Sequence, residues 1–409
     1  MRQFFLFLFL LVSAQMFAGS KTETIEVDGI ERSYIVYAPS TFDKSQSHSV
    51  LVVLHGLGGS AEGFADLFDA QALSDKFNSI LLFPQALDEQ NDKIMSAVEL
   101  IKSTGAMPES VTFKNSWGAG ARITMDTINK LAGMMAPLLP ALIPDIVEKG
   151  YGELNESVDD VKFINLMLDK ADGTYNINDS IFVAGGSMGG AMTFKYAYSK
   201  DCRAMKVCSI NGFVGGGVDT VGTSIKIPVL IFNSKSDAVV KYNGGMFNGP
   251  IDDMIRTIGE QNDCTPRYVA DRVDLKDDGN EVFEFGYLCD LQTEVRCFIS
   301  SNAEHQQFLN AKENDIDFLA EIEKFFYGRE NTGCEDVTAS ELSFYPNPVE
   351  DVLHCEYSGR CEVVDLMGRV VLSAEVVDGA VDLSSLTAGY YIFTLETQNQ
   401  LFRARFVKK

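Results

Sequence analysis

The sequence predicts an α/β domain built on a mostly parallel central sheet, followed by a small all-β sandwich. Three observations carry this reading. From Lys21 to about Gly328, short β-branched runs alternate with longer amphipathic stretches, the rhythm of successive βα units. One of those runs, SIFVAG, leads directly into the turn Gly185-Gly186-Ser187-Met188-Gly189 and then into a helical pattern. After Glu330 the helical period vanishes, and short alternating strands separated by turn residues remain.

Taken in order, the chain begins with Met1 and Arg2, an apolar stretch from Phe4 to Val12, and the small residues Ala18-Gly19-Ser20. That arrangement describes a signal peptide over residues 1–18. The apolar stretch is too short to span a bilayer as a helix; an uncleaved anchor, or cleavage after Ala14, is the alternative. TETIEV and RSYIVYA flank Asp28-Gly29, a hairpin signal. SVLVVLH, SILLFP, SIFVAG, KVCSI, IPVLIF and EVRCFIS follow as short runs, several of which read as strands buried on both faces. Helices are expected at AEGFADLFDAQALSDKF, SVDDVKFINLMLDK, MGGAMTFKYAYSK, DDMIRTIGEQ and DIDFLAEIEKFF, with Ser157 and Asp160 spaced as a capping arrangement. One segment breaks the rhythm. Residues 122–150 are apolar, Met-rich and interrupted by Pro137, Pro140 and Pro144, which precludes one straight helix. It reads either as a lid or acyl-binding wall beside an active site, or as a broken helix pair packed on the body. Residues 329–339 form a polar linker, and residues 340–409 make up the all-β tail.

The 409 residues are 46% hydrophobic and 11% aromatic, enough for a buried core and against disorder. The net charge of -24 argues against nucleic acid as a partner, because phosphate binding depends on clustered Lys and Arg. Eight cysteines in an exported chain suggest bridges. Cys289 with Cys297 and Cys355 with Cys361 flank plausible hairpin turns, and Cys202 with Cys208 is a third candidate pair unless both are simply buried thiols. None has zinc-ligand spacing.

G-x-S-x-G alone is a common pattern. Between a strand and a helix it gains meaning, because the sharp turn that exposes a serine hydroxyl needs small residues on both sides. That placement makes Ser187 a candidate nucleophile on an α/β-hydrolase fold. A serine hydroxyl needs a general base, and in this fold the order is Ser, acid, His. Of four histidines, His48 precedes a strand, His55 ends one and His354 lies in the tail. His305, after the last strand and before the closing helix, is the candidate base. Asp237, in the loop after IPVLIFNS, is the candidate acid, with Asp252 and Asp253 as alternatives. An oxyanion hole would take the Met188 N–H and, from LHGLGGS, the Leu57 N–H. Trp117, the only tryptophan, could stack on a substrate or belong to the core. The run Gly215-Gly216-Gly217 lacks the Lys-Ser or Lys-Thr of a phosphate loop and reads as a turn.

RSYIVYAPS, LVVLHGLGGS, NSWGAG, SVDDVKFI, YNINDSIFVAGGSMGGAM and SDAVVKYNGG make the span from about Ile25 to Tyr327 similar to the family of polyhydroxybutyrate depolymerases, feruloyl esterases and acetylxylan esterases. The resemblance implies catalytic roles for Ser187, Asp237 and His305. It also implies hydrolysis of carboxylic esters, either feruloyl or acetyl esters of plant polysaccharide or hydroxybutyrate-type esters, with no metal or organic cofactor. It departs from the family at NAEHQQF, which replaces a Gly-His-x-Trp-Pro run, and at the long insertion. A serine peptidase and a non-catalytic surface-binding protein on the same fold are the alternative functions. In the tail, Tyr345-Pro346-Asn347-Pro348, VVDLMGRVV, the run from Asp382 to Tyr391 and the basic end Lys408-Lys409 resemble the C-terminal sorting domains of the bacterial type IX secretion system. That likeness implies export across the outer membrane and the secretion machinery as a partner. The alternative, a carbohydrate- or surface-binding module, requires exposed aromatic platforms, for which Tyr390 and Tyr391 are the only paired candidates.

Overall fold

The computed structural model describes residues 19–105, 112–216, 225–264, 267–273, 279–287, 293–305, 315–328, 344–364, 370–397 and 401–409. The expected signal peptide and linker therefore lie outside the described residues. The strands of the first unit are β1 (Gly19–Val27), β2 (Ile30–Ala38), β3 (His48–Leu54), β4 (Ser79–Pro84), β5 (Arg122–Thr124), β6 (Tyr151–Glu153), β7 (Ile177–Gly186), β8 (Lys206–Ile210), β9 (Val229–Ser234), β10 (Arg267–Val273), β11 (Val282–Tyr287) and β12 (Val295–Ser300). Ten of them form one sheet in the order β1-β2-β4-β3-β7-β8-β9-β12-β11-β10. The centre, from β4 through β3, β7, β8 and β9 to β12, is parallel, and antiparallel pairs close both edges. This is the α/β-hydrolase arrangement. The expected hairpin is present, with Asp28 and Gly29 at φ of 52° and 82° between β1 and β2.

The helices are α1 (Ala61–Leu67), α2 (Ala70–Phe77), α3 (Asp92–Ser103), α4 (Met125–Ala132), α5 (Leu139–Leu142), α6 (Pro144–Lys149), α7 (Asp160–Tyr175), α8 (Met188–Ala197), α9 (Ile251–Gln261) and α10 (Phe318–Tyr327). They cover the sheet on both faces, which is why the middles of its central strands carry apolar residues on both sides. Val50, Val52 and Leu54 of β3 point into the core shared with α7, α8 and α9, while Leu51 and Val53 point into the core shared with α1, α2 and α10. β7 and β9 divide their side chains the same way, with Val183 and Ile231 on one face and Ala184 and Phe232 on the other.

Two local expectations are corrected. The single helix expected over residues 61–77 is two, because Asp69 adopts φ 45° and turns the chain between them. The cap of α7 is Asp159, whose carboxylate accepts from Lys162 N at 2.9 Å, one residue before the Asp160 of the expected Ser157 pairing. Asp160 is otherwise engaged. It is buried against Arg32 at 2.7 Å and also accepts from Gly118 N at 2.7 Å, while Arg32 lies over the Phe163 ring at 4.2 Å.

Residues 122–150 form a broken helical stretch. Pro137 sits in a 3₁₀ turn (Gly133–Leu138), Pro140 lies in the first turn of α5, and Pro144 opens α6. The antiparallel pair β5 and β6 closes its base, with Arg122 bonded to Glu153 at 2.6 Å and Leu154 N to Ala121 O at 3.0 Å. Met134 at its tip is 97% exposed.

The tail has β13 (Phe344–Tyr345), β14 (Val352–Cys355), β15 (Gly359–Val364), β16 (Val370–Val376), β17 (Ala380–Asp382), β18 (Gly389–Glu396) and β19 (Leu401–Lys408). They form two antiparallel sheets, β13-β14-β17 and β16-β15-β18-β19, around a core that includes Leu353, Val363, Leu383, Phe393 and Phe406. Strand alternation separates the two tyrosines. Tyr390 is exposed and Tyr391 is buried, so they do not form a paired platform.

The cysteine pairings expected from hairpins are not formed. Cys355 and Cys361 are both buried thiols, because β14 and β15 belong to different sheets instead of one hairpin. Cys297 is a buried thiol on β12, and Cys289 lies outside the described residues. Cys202 and Cys208 are likewise thiols. Cys264, which the hairpin reading did not include, is disulfide-bonded.

Removing one partner of the Arg32–Asp160 pair leaves the other charge buried and uncompensated. Asp160→Ala is expected to destabilise the α/β unit by about 3–5 kcal/mol, measured as a shift of the urea unfolding midpoint.

Candidate active site

The site begins with the turn between β7 and α8. Ser187 has φ 53° and ψ -118°, a strained conformation for a residue with a side chain. The turn closes because its neighbours are glycines: a Cβ at Gly185 would overlap the Gly189 carbonyl, and one at Gly189 would overlap the carbonyls at the end of β3. One at Gly190 would lie 2.6 Å from Ser209 Oγ. Ser187 N donates to Ile210 O at 2.7 Å, which ties the turn to the end of β8.

His305 follows the end of β12 and reaches back across the sheet. Its Nε2 lies 2.9 Å from Ser187 Oγ and its Nδ1 lies 2.6 Å from Asp237 Oδ2. A buried carboxylate accepts, so Nδ1 carries the proton and Nε2 accepts from the serine hydroxyl. Asp237 is 4% exposed. Its other oxygen accepts from Val239 N at 2.8 Å and Val240 N at 2.9 Å, which fixes the plane of the carboxylate. Asp252 and Asp253 are committed elsewhere, to Tyr242 Oη at 2.8 Å and to Arg256 at 3.1 Å. Of the remaining histidines, His48 is buried between two backbone carbonyls, and His354 stacks on Tyr345.

The loop after β3 borders the same centre. Gly58 N donates to Lys114 O at 3.0 Å and Gly59 N to Gly56 O at 2.9 Å. Among the described residues, the amides of Leu57 and Met188 have no such acceptor, and both residues line the cavity at Ser187. Trp117 is fully buried and does not border that cavity. Its Nε1 donates to His55 O at 2.7 Å, and its ring lies 5.0 Å from the His55 ring. Asn115 Nδ2 donates to Gly59 O at 2.7 Å. The segment NSWGAG is thus a buttress beneath the loop, a role its sequence did not disclose.

Two cavities open on Ser187 and His305. One, of about 180 Å³, is walled by Ala121, Leu154, Phe213, Val239 and Phe247, with Asn248 among its few polar groups. The other, of about 280 Å³, lies under the glycine loop beside Phe64 and Asn211. The insertion supplies no residue to either; its flanking residues Ala121 and Leu154 do. Among the described residues, no group of three or more His, Cys, Asp or Glu is placed to hold a metal ion.

Residues 343–409 match the family model of the secretion system C-terminal sorting domain. This region marks the chain for export through the type IX system to the cell surface or the extracellular space. No curated protein matched the chain by sequence. Among solved structures, the chain is similar to an acetyl xylan esterase from Aspergillus awamori, at 10% identity and a TM-score of 0.45 over 75% of this chain and 99% of that one. It is also similar to an S-formylglutathione hydrolase from Agrobacterium tumefaciens, at 12% identity and a TM-score of 0.41 over 76% and 95% of the two chains. A ferulic acid esterase from Anaeromyces mucronatus aligns at 14% identity and a TM-score of 0.36 over 60% and 79%.

His55 gives the site a pH dependence. Burial pushes its imidazole down to about 4. Its Nδ1–H donates to Gly56 O at 2.7 Å while Nε2 accepts from Ala86 N at 3.1 Å, an arrangement that requires the neutral ring. The unfolded chain takes up this proton near pH 6.5, before the folded one does. Stability from His55 is therefore complete above about pH 6.5 and lost as pH falls toward 4, by on the order of 3 kcal/mol. Urea midpoints measured from pH 7 to 4 are expected to fall less steeply in His55→Gln than in the wild type.

Proposed function

We propose that the chain is an exported serine hydrolase that cleaves carboxylic esters through an acyl-enzyme on Ser187. The observation that carries this reading is the continuous hydrogen-bonded path from Ser187 Oγ through His305 to Asp237. In the proposed sequence, Ser187 Oγ attacks the ester carbonyl while His305 Nε2 takes its proton. Asp237 holds the ring and stabilises the cation that forms. The amides of Leu57 and Met188 receive the oxyanion, each donor worth typically about 3 kcal/mol in the transition state. Collapse of the tetrahedral intermediate expels the alcohol with the proton from His305, and water activated by the same ring releases the acid.

The apolar cavity suits the acyl group, which favours feruloyl, acetyl or hydroxybutyrate-type esters over charged ones. Polysaccharide-linked esters at the cell exterior fit the export signal in the tail. Trp117 acts in this reading through the loop it supports and not by touching substrate.

Purified protein is expected to hydrolyse p-nitrophenyl acetate. Ser187→Ala, His305→Ala and Asp237→Asn are each expected to lower kcat by at least about 10³-fold. Equal rates in wild type and Ser187→Ala would rule the reading out. Methyl ferulate, acetylated xylan and hydroxybutyrate oligomers, compared by kcat/KM, would rank the substrate classes. Trp117→Phe keeps an aromatic ring in the core but leaves a void and leaves His55 O without its donor; it is expected to cost about 1–3 kcal/mol of stability, read from the shift of the unfolding midpoint.

A further inference from the structure

We infer that Asn211 is a positioning residue for the base, holding the His305 backbone against the same strand end that holds the nucleophile; this rests on the catalytic reading above. β8 ends at Ile210, whose carbonyl accepts from Ser187 N at 2.7 Å. The next residue, Asn211, keeps the ladder to β9 through its own amide, which donates to Phe232 O at 2.6 Å. Its side chain then turns toward His305 and donates from Nδ2 to the His305 carbonyl at 2.8 Å. A carbonyl oxygen can only accept, so the side-chain amide must present its nitrogen there. Two consecutive residues thus grip both halves of the proton-transfer pair.

Among the described residues the Asn211 bond is the only hydrogen bond made by the peptide groups of His305. Ala303, two residues back, is also held, by Ser234 Oγ, which donates to its carbonyl at 2.5 Å. The imidazole must meet Ser187 Oγ and Asp237 Oδ2 at once, and a displacement of about 1 Å in such a pair can slow a reaction about 10²-fold.

The local chemistry is costly, which points to a use. Asn211 is 2% exposed and, among the described residues, its Oδ1 accepts no hydrogen bond, so the amide is buried with its acceptor unmet there. A purely structural left-handed turn, here φ 48°, would be served as well by glycine without that burial. Asparagine combines tolerance of that backbone with a donor of the right reach.

Asn211→Gly keeps the backbone and deletes the donor. It is expected to lower kcat on p-nitrophenyl acetate about 10- to 100-fold, with KM within about two-fold and the thermal midpoint within a few degrees of wild type. Asn211→Asp keeps the shape and sets an acceptor against an acceptor. It is expected to slow turnover comparably and to move the acid limb of the kcat profile to higher pH, because a carboxylate then lies near the imidazole. The rate of Ser187 labelling by a fluorophosphonate, which needs nucleophile and base but no ester turnover, is expected to fall by the same factor in both variants. Unchanged kcat and labelling in folded Asn211→Gly would overturn the inference. So would losses in both variants that track the unfolding midpoint with no change in the pH profile. If Asn211→Gly does not fold, Asn211→Asp decides between the same outcomes. A wild type that labels at Ser187 but does not turn over ester would count against the esterase reading alone, and the labelling rates would still decide the role of Asn211.

Discussion

The constraint on which this structure depends is the reversal at Ser187. A chain leaving a central parallel strand must turn within a few residues into a helix that packs back on the same sheet. The reversal holds Ser187 at positive φ, a strain on the order of 1–3 kcal/mol. It persists because Gly185, Gly189 and Gly190 leave room for backbone where side chains would overlap, and because Ile210 O captures the Ser187 amide. The ends of β3, β7 and β8 are drawn together as a result, so the loops that follow them meet at one point. Leu57, Ser187 and His305, to which the proposed mechanism gives the oxyanion, nucleophile and base roles, are neighbours for that reason, although each is more than a hundred residues from the next in the chain.

Around that point the structure uses buried polar groups as braces. Trp117 grips the end of β3, Asn115 grips Gly59, and His55 bridges Gly56 and Ala86. Behind them Asp160 ties Arg32 to Gly118, and Lys195 donates to the Gly118 carbonyl. Pairs of this kind contribute little net stability once desolvation is counted, but they restrict where the backbone can go. The oxyanion site proposed for the amides of Leu57 and Met188 would depend on that restriction, because main-chain donors have no side chain of their own to orient.

The strands that carry the site were legible because burial on both faces leaves an unmistakable apolar run; SILLFP and KVCSI coincide with β4 and β8. The grouping of Ser187, Asp237 and His305 was legible because, of the four histidines, only His305 lies between Ser187 and the tail. Other features leave no such trace. Asn211 is a single polar residue after a strand, in no motif, and its partner is 94 residues away. Trp117 is distinctive as a residue type, but the backbone carbonyl it holds is invisible in sequence. The strands β10 and β11 and the helix α3 were not anticipated; β11 is half-buried over the middle of its length and α3 buries only one stripe of its surface. The cysteines misled because a short spacing resembles a hairpin whether or not the two flanking strands share a sheet.

The two-strand ladder of β5 and β6 separates two properties of the molecule that would otherwise be coupled. Ala121 and Leu154 are joined by a main-chain hydrogen bond and flanked by the Arg122–Glu153 ion pair, so the pocket wall is held at the base of the insertion. The stretch between Thr124 and Tyr151 packs on the same core through Ile128, Leu139, Ile143 and Ile146, yet none of its residues lines either cavity. Its exposed side, where Met134, Leu138 and Leu142 face outward, can therefore change without moving the wall of the cavity beneath it.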